Sequence, residues 1–480
     1  MMRSPKTQCS NCHLLLTYTY MYRLTGIILL CLTAISGCQK SDRSIDLPQD
    51  PFIQVYFNHR QTGKQTYTEP YRKIERGGDN LESIIIKEIA TAKSTIDLAV
   101  QELNLPLVAQ ALAETHRSGV KVRVILDNNY SRALSDLNSQ EIKQLARRDR
   151  LKYDEFLALA DRDNNGRLNA AEISRSDAMV ILRDAGITVL DDTADGSKGS
   201  GLMHHKFMVI DGKTVITGSA NFTLSGIFGD FKNLDTRGNV NHLLRIDNRE
   251  VASLFRQEFN YMWGNGTGGI NSRFGLDKPK RLPKSIAWDN TTITLQFSPT
   301  SSSQDWRLST NGSIDEIIRN ADNSIDLALF VFSEQLITNT LQQKQQQGIK
   351  INGVFDRGFA FRYYSEVLDM LGVTIYDRCQ PETNNNPWIK SLNTVGTANS
   401  ATGDKLHHKF ALVDDRIVIT GSHNWSQAAN HRNDEALIII NNLTLARHFR
   451  QEFQRLSQSA NWGLPSSVKS KIQQQQQDCG

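Results

Sequence analysis

Two segments of the chain carry the residue types that phosphodiester chemistry requires. One runs from residue 204 to 221 and the other from 407 to 424, at a constant offset of 203. Both follow the pattern H-x-K-x4-D-x6-G-S-x-N. The candidate catalytic residues are therefore His204, Lys206, Asp211, Ser219 and Asn221 in the first copy and His407, Lys409, Asp414, Ser422 and Asn424 in the second.

These residue types suit attack on a phosphodiester. A neutral imidazole can attack phosphorus, and a protonated imidazole can give its proton to the leaving oxygen. Ammonium and amide groups can hold the remaining phosphate oxygens. Because one copy supplies only half of this set, we expect the two copies to face each other across a pseudo-twofold axis and to form one site that requires no metal ion for its chemistry.

A β-hairpin is predicted to position each set. β-branched apolar residues flank the turn dipeptide Asp211-Gly212, which is a strong hairpin signal. Since side chains alternate along a strand, His204 and Lys206 share one face and His205 lies on the other. We interpret the two outward histidines, His205 and His408, as structural and the two turn aspartates, Asp211 and Asp414, mainly as turn and hydrogen-bonding elements.

The duplication extends beyond these segments. Residues 94–99 recur as 323–328 and residues 119–127 recur as 348–356, both at an offset of 229, so the first copy is 26 residues longer before its histidine. Helix-like and strand-like patterns alternate in each copy, which indicates α/β architecture. The predicted elements include helices over 81–92 and 314–321 and strands over 95–100 and 324–332. We therefore predict two similar lobes, each a mixed, mostly parallel sheet covered by helices.

The predicted organisation has six consecutive parts, the third of which contains an insert. They are a leader over 1–37 (with a start at Met21 as an alternative), a linker over 38–51, a first lobe over 52–268 with an insert at about 141–185, a linker over 269–290, a second lobe over 291–463, and a Gln-rich tail over 464–480 that we expect to be disordered.

The duplicated pattern resembles the signature of the phospholipase D superfamily. The resemblance implies hydrolysis through a phosphohistidine intermediate. It also implies that an acid or amide downstream of each copy orients the histidine of the opposite lobe, and Glu435 and Asn241 occupy those positions. A carboxylate stabilises an imidazolium better than an amide does. If Glu435 reaches His204, His204 is the nucleophile and His407 the general acid.

The extra length of the first copy contains a second motif. Residues 161–172 satisfy D-x-[DN]-x-[DN]-G-x5-E, the calcium loop of an EF-hand. The segments 141–160 and 170–185 are expected to be its helices. We expect Ca²⁺ with a structural or regulatory role, and the alternative is a solvated acidic turn. The expected ligands are Asp161, Asp163, Asn165, the backbone carbonyl of Arg167, Asn169 and Glu172.

The N-terminus resembles a bacterial lipoprotein signal. An apolar run over 24–35 precedes Ile35-Ser36-Gly37-Cys38, and about a dozen apolar residues are too few to cross a bilayer, which needs about 20. We expect lipidation of Cys38 and an exported, membrane-anchored lipoprotein that faces the periplasm or the cell exterior. A plain secretory signal is the alternative. Removal of residues 1–37 lowers the net charge from +4 to +1.

Composition narrows the protein class without settling the substrate. With 39% hydrophobic and 22% charged residues, the chain is neither disordered nor collagen-like. Beyond the proposed lipidation site at Cys38 the chain has two cysteines, Cys379 and Cys479, and two free thiols are slightly favoured over one disulfide.

Four functions fit these residues. A membrane-anchored enzyme lies at the surface of its substrate, so hydrolysis of phospholipid headgroup phosphodiesters is the first hypothesis. The alternatives are an endonuclease acting on nucleic acid, phosphatidyl transfer of the cardiolipin-synthase type and, outside enzymes, a calcium-binding envelope protein. A monomer is expected because one chain carries both half-sites.

Overall fold

Two β-sheets, one in each half of the repeat, form the framework of the protein. The computed structural model describes residues 46–61, 66–197, 201–265 and 270–479, so the predicted leader and Cys38 lie outside the described residues. The strands of the first half are β1 (Ile53–Phe57), β2 (Thr66–Thr68), β3 (Glu75–Gly77), β4 (Thr95–Val100), β5 (Lys121–Leu126), β6 (Val189–Asp191), β7 (Lys206–Ile210), β8 (Thr214–Gly218) and β9 (His242–Asp247). Those of the second half are β10 (Lys284–Trp288), β11 (Thr291–Phe297), β12 (Ser324–Leu329), β13 (Phe332–Ser333), β14 (Lys350–Phe355), β15 (Val395–Thr397), β16 (Lys409–Val413), β17 (Ile417–Gly421), β18 (Trp425–Ser426), β19 (Ala436–Asn441) and β20 (Asn461–Trp462).

Helices follow the strands in both halves. Those of the first half are α1 (Leu81–Thr91), α2 (Pro106–Arg117), α3 (Ser139–Gln144), α4 (Arg147–Ala160), α5 (Ala170–Ser176), α6 (Ala178–Asp184), α7 (Leu224–Ile227) and α8 (Arg249–Trp263). Those of the second half are α9 (Thr310–Arg319), α10 (Gln335–Gln346), α11 (Glu366–Met370), α12 (Gln427–His431), α13 (Leu443–Ser459) and α14 (Ser466–Cys479). None of the helices in the described part of the chain has the length and apolar character needed to cross a membrane.

The two sheets have matching topology. The first has the order β1-β9-β8-β7-β4-β5-β6, and the second has the order β10-β11-β19-β17-β16-β12-β14-β15-β20. The predicted mixed α/β class is confirmed. The expectation of mostly parallel sheets is wrong, because only β4-β5-β6 and β12-β14-β15 are parallel in these two sheets. The hairpins that carry the candidate residues return directly beside the preceding strand, and such short connections produce antiparallel pairs.

Three apolar layers hold the sheets and helices together. A central core contains residues of both sheets together with α8 and α13. A second core lies between the first sheet and α1, α2 and α6, and a third lies between the second sheet and α9, α10 and α11. The central core joins the two lobes into one unit over Asp46–Gly480.

Several predicted boundaries are corrected by the structure. The linker predicted over 269–290 is shorter, since β10 already pairs with β11 in the second sheet. The insert ends before α6, which is buried in the core of the first lobe. Both predicted insert helices are interrupted, the first around Leu145 and the second at Asp177, whose side chain caps α6.

The C-terminal tail is ordered, contrary to the expectation of disorder. Residues 466–479 form α14, and Cys479 is bonded to Cys379 in a disulfide. The two free thiols favoured from the sequence are therefore also wrong. The side chain of Gln475 adds two hydrogen bonds to the backbone of Tyr376, at 2.9 and 3.1 Å. These contacts, rather than burial, hold a polar helix against the second lobe.

Candidate active site

The histidines of the two copies are each held by a residue of the opposite lobe. His204 Nδ1 lies 2.6 Å from Glu435 Oε2, and His407 Nδ1 lies 3.0 Å from Asn241 Oδ1. All four side chains are buried. The structure thus brings together the four residues as the sequence predicted, with a carboxylate on one histidine and an amide on the other. In both cases the cross-lobe contact is made by Nδ1 and not by Nε2.

Backbone contacts between the lobes explain this arrangement. His204 N donates to the carbonyl of Asp434, and His407 N donates to the carbonyl of Val240, both at 3.0 Å. The residue after each carbonyl, Glu435 or Asn241, is the side-chain partner of the same histidine whose backbone donates to that carbonyl. The two contacts are reciprocal, as a twofold relation between lobes requires. The backbone contacts between the two lobes therefore place each partner side chain next to the histidine that it orients.

Two buried aspartates that sequence reasoning missed fix the same segments. Asp127 Oδ2 accepts a hydrogen bond from Met203 N, and Asp356 Oδ2 accepts one from Leu406 N, each at 3.0 Å. These donors immediately precede the two histidines. A signal was present in the sequence, because both aspartates close the block that recurs at an offset of 229.

The motif serines hold the partner segments in place. Ser219 Oγ donates to Asn241 Oδ1 at 2.8 Å and accepts from His242 N at 3.1 Å. Ser422 Oγ accepts from Ala436 N at 3.0 Å. The serines therefore bind the strand starts that carry the amide and carboxylate partners.

The lysine and asparagine of the first copy meet at a third residue. Lys206 Nζ donates to the carbonyl of His204 at 2.9 Å and lies 3.5 Å from Gln101 Oε1, which also accepts from Asn221 Nδ2 at 3.2 Å. Gln101 directly follows β4. The sequence contained no signal for it, since the repeat does not preserve this position.

The second copy has an aromatic ring in the place of that amide. At the 229-residue offset the counterpart of Gln101 is Phe330. Its ring centroid lies 4.8 Å from Lys409 Nζ and 4.7 Å from the His407 ring. Asn424 is half-buried at the position equivalent to the first asparagine. The two half-sites therefore differ in polarity as well as in their cross-lobe partners.

The motif aspartates lie at the far ends of the hairpin strands from the histidines. Asp211 accepts hydrogen bonds from the backbone of residues 93–95 and from the hydroxyl of Ser94. Asp414 accepts three from the backbone of residues 322–324. Both adopt a left-handed backbone, with φ of 51°. These contacts support the turn and hydrogen-bonding role, and they do not support a direct catalytic role.

The outward histidines are fully buried on the other side of the strands. His205 Nε2 lies 3.3 Å from Glu258 Oε1, and His408 Nε2 lies 2.9 Å from Glu452 Oε1. Their positions in the interior agree with the structural role predicted for them.

Burial and crowded positive charge set the protonation of the site. Burial, followed by the charges of Lys206 and Lys409, holds the pKa of both His204 and His407 well below the ordinary value. Burial also lowers the pKa of Lys206 to about 7, and burial together with Lys206 lowers that of Lys409 well below its usual range. Burial raises the pKa of Glu435. The substrate-free site therefore favours neutral imidazoles, whereas an anionic phosphodiester would favour protonated groups.

The predicted calcium loop brings its acidic side chains together. Oxygen atoms of Asp161, Asp163 and Glu172 all lie within 4.8 Å of one another. Gly166 has a φ of 77°, which supplies the sharp turn expected at that position. The loop connects α4 to α5. Its three clustered carboxylates supply the oxygen ligands that a hard cation prefers.

The side chains of Asn165 and Asn169, also predicted as ligands, accept hydrogen bonds from backbone N–H groups of the loop. Asn165 Oδ1 accepts from Arg167 N at 2.8 Å, and Asn169 Oδ1 caps α5 by accepting from Glu172 N at 3.0 Å. The two carboxylate oxygens of Glu172 accept from Arg162 N and Asn169 N. The loop is thus closed on itself by its own side chains.

Comparison with known proteins identifies the family. A family model described as "Cardiolipin synthase, PLD-like domain" matches residues 85–263 and 314–457. The chain belongs to this phospholipase D-like family. Both matched stretches contain one complete copy of the duplicated signature, which agrees with the resemblance stated from the sequence.

Curated relatives in the phospholipase D superfamily match parts of the chain. Mitochondrial cardiolipin hydrolase from Xenopus tropicalis is 28% identical over 185 residues, which cover 38% of this chain and 62% of the relative. Phospholipase D from Rickettsia typhi is 28% identical over 137 residues, which cover 28% of this chain and 57% of the relative. The chain thus spans less than two thirds of the length of these relatives.

A solved structure supports the two-lobe fold. Phosphatidylserine synthase from Haemophilus influenzae superposes with a TM-score of 0.51 at 13% identity, covering 90% of this chain and 94% of that protein. At this identity the likeness concerns the fold alone.

Proposed function

We propose that the protein is a metal-independent phosphodiesterase of the phospholipase D type that hydrolyses phospholipid headgroup phosphodiesters. The observation that carries the proposal is the cross-lobe pairing of His204 with Glu435 and of His407 with Asn241. It leaves two imidazole Nε2 atoms beside two buried lysines, which is the set that nucleophilic displacement at phosphorus needs. The names of the curated relatives agree with this reaction class.

In the first step, His204 Nε2 attacks phosphorus and the bond from phosphorus to the headgroup oxygen breaks. That oxygen takes the proton of His407 Nε2 and leaves as an alcohol. The carboxylate of Glu435 stabilises the positive charge that develops on His204. Lys206 and Lys409 bind the phosphate oxygens, and their charge is complementary to the substrate.

In the second step, water replaces the nucleophile. His407 Nε2 accepts a proton from the water as its oxygen bonds to phosphorus, and the bond between phosphorus and His204 breaks. The products are the phosphatidic acid and the free enzyme. An alcohol in the place of water would give phosphatidyl transfer instead.

The assignment of the two histidines is tested by trapping the covalent intermediate. We expect a His204→Ala variant to form no phosphoenzyme, because the nucleophile is absent. A His407→Ala variant should still form one from 4-nitrophenyl phosphodiesters, whose leaving group needs no proton. Mass spectrometry of digests prepared without acid identifies the modified residue. Phosphate found only on His407 would contradict the assignment.

The substrate class is tested separately from the chemistry. We expect the protein to release headgroups from mixed phospholipid vesicles and to leave plasmid DNA and RNA intact. The His204→Ala variant should act on neither substrate. Cleavage of nucleic acid without headgroup release would identify an endonuclease. Formation of cardiolipin from phosphatidylglycerol would identify phosphatidyl transfer, and no activity on any phosphodiester would favour a calcium-binding envelope protein.

We also propose that the loop over 161–172 binds Ca²⁺ in a structural or regulatory role. The clustering of Asp161, Asp163 and Glu172 supports it. Since a ligand that binds only the folded protein stabilises it by about 2.7 kcal/mol at 100 times its dissociation constant, Ca²⁺ should raise the melting temperature. The Glu172→Gln variant should lose that shift, and the exposed control Glu114→Gln should retain it. An equal shift in all three proteins would contradict the site.

The proposed location and assembly follow from the sequence. We propose that the chain is a membrane-anchored lipoprotein, lipidated at Cys38, that acts as a monomer. Mass spectrometry of the processed N-terminus should show an acylated cysteine as the first residue. A soluble product that begins after a different cleavage site would favour the plain secretory signal.

A further inference from the structure

A cavity of about 320 Å³ lies between the insert and the first lobe, and we refer to it as the insert cavity. Helix α4 of the insert forms one wall with Lys152 and Phe156. Residues 102–104 after β4, and residues 128–130 and 132–134 after β5, form a second wall. Its volume is at the lower end of the range for small-molecule sites, about 300–1,000 Å³.

The insert cavity is lined by both apolar and polar side chains. Leu103, Phe156 and Met179 contribute buried apolar side chains, and Leu137 and Leu145 are half-buried. The polar lining residues include Asn128 and Asn129, which are exposed. Such a combination suits a ligand with a long apolar part attached to a polar group.

Two segments that line the insert cavity are adjacent in the chain to residues of the candidate active site. Glu102 lines the cavity and directly follows Gln101, which contacts Lys206 and Asn221. On the second wall, Asn128 follows Asp127, whose carboxylate holds the backbone one residue before His204. Consecutive Cα atoms are about 3.8 Å apart, so both walls begin one residue away from groups that contact the active site.

The cavity is not a by-product of the repeat. In the second lobe, Phe332 stands at the position of Leu103. Its ring stacks on Phe355, with centroids 6.0 Å apart, and meets Trp425 edge-on at 5.9 Å. Aromatic rings therefore pack together at the equivalent position of the second lobe.

The charges of the lining favour a lipid over a nucleic acid. Lys152 Nζ pairs with Glu102 Oε2 at 2.7 Å, and Arg132 pairs with Glu141 at 2.8 Å. Both lining cations are thus already neutralised. A polyanionic strand would need unpaired cations along its path, whereas an acyl chain needs only the apolar wall.

We propose that the insert cavity is a subsite for one acyl chain of the lipid whose phosphodiester is bound between His204 and His407. The subsite rests on the proposed function in one respect, which is that its activity test requires phosphodiesterase turnover. The insert would then provide the wall that makes the active site selective for long-chain lipid phosphodiesters over small, soluble ones.

A cavity-filling substitution tests the subsite. We expect Leu145→Trp to lower kcat/KM for a vesicle-borne dioleoyl phospholipid at least tenfold, and to change kcat/KM for bis(4-nitrophenyl) phosphate less than twofold. The matched control is Leu151→Trp, on the exposed side of α4 and away from the cavity, which should change neither. Equal losses on both substrates, or no loss on the lipid, would overturn the subsite.

A binding measurement keeps this proposal separate from the catalytic one. A fluorescent dodecanoic acid probe should bind the full-length wild-type protein, the His204→Ala variant and the Leu151→Trp control, and bind Leu145→Trp at least tenfold more weakly. Probe binding without any phosphodiesterase activity would refute the proposed function and retain the subsite. Binding that Leu145→Trp leaves unchanged would refute the subsite, whatever the activity.

Discussion

At the scale of single residues, the two active-site lysines have unusual surroundings. Lys206 and Lys409 are each about 1% exposed, and no aspartate or glutamate forms a direct ion pair with either within the described residues. Their ammonium groups instead donate to the carbonyls of the neighbouring histidines. Burial without a carboxylate partner favours the neutral amine, and binding of an anionic phosphate reverses that preference.

The buried lysine predicts how activity depends on pH. Because the pKa of Lys206 is lowered to about 7, the free enzyme loses this positive charge as the pH rises through that value, and kcat/KM should fall. A Lys206→Arg variant should retain its charge, since a guanidinium does not lose its proton in this range. Its kcat/KM should therefore begin to fall at a higher pH, even if its maximum is lower.

The measurement is a pH profile of kcat/KM for bis(4-nitrophenyl) phosphate. Lys213→Arg, at the exposed hairpin turn, is the matched control and should follow the wild-type profile. An alkaline limb at the same pH in wild type and Lys206→Arg would show that another group controls it.

At the scale of elements, the C-terminal helix is attached rather than packed. Helix α14 contains no buried residue. It is held by the Cys379–Cys479 disulfide, which spans a sequence separation of 100, and by the hydrogen bonds between Gln475 and Tyr376. A covalent link over such a long loop restricts the unfolded chain.

Removing the disulfide should therefore lower the free energy of unfolding, although helix α14 buries no side chain. We expect Cys479→Ser to reduce the free energy of unfolding by about 2–4 kcal/mol. Guanidinium denaturation with and without a phosphine reductant measures the effect. Reductant should bring the wild type to the midpoint of the variant and leave the variant unchanged, and a variant as stable as the oxidised wild type would contradict the prediction.

At the scale of the whole molecule, one linker residue connects the two lobes. Lys278 is fully buried at its side chain, where it pairs with Glu258 of the first lobe and with Asp434 Oδ1 of the second, the latter at 2.5 Å. Asp434 in turn holds the backbone of His204. The linker therefore contributes to the interface that aligns the half-sites.

Removing this lysine leaves the buried Asp434 without its cation and leaves Glu258 with the Arg281 cation, at 3.4 Å. We expect Lys278→Met to destabilise the protein by about 3–5 kcal/mol, and also to lower kcat because the segment before His204 loses its support. Urea denaturation and turnover of a soluble phosphodiester measure the two effects. The control Lys280→Met, exposed on the same linker, should change neither, and an equally stable Lys278→Met would contradict this role.

Most of the candidate site could be predicted because its residues lie close together in the chain and their spacing recurs in both copies. The spacing of His204 and Lys206 decides which face of a strand they share, and the turn at Asp211 follows from its neighbours in the chain. The family resemblance implied a partner for each histidine, and the register of the repeat located these partners at Glu435 and Asn241. In contrast, the insert helices were predicted as continuous, because periodicity alone does not reveal the interruptions at Leu145 and Asp177.

The amino-acid sequence by itself determined the duplicated half-site and the mixed α/β class, since each depends on short-range spacing repeated in both halves, whereas the cross-lobe exchange of partners was implied by the family resemblance. Only the tertiary structure decided the roles of Gln101, Phe330 and Lys278, the Cys379–Cys479 disulfide and the insert cavity. Each of these depends on which distant segments come into contact, and packing between lobes, insert and C-terminal helix leaves no periodic pattern in the chain.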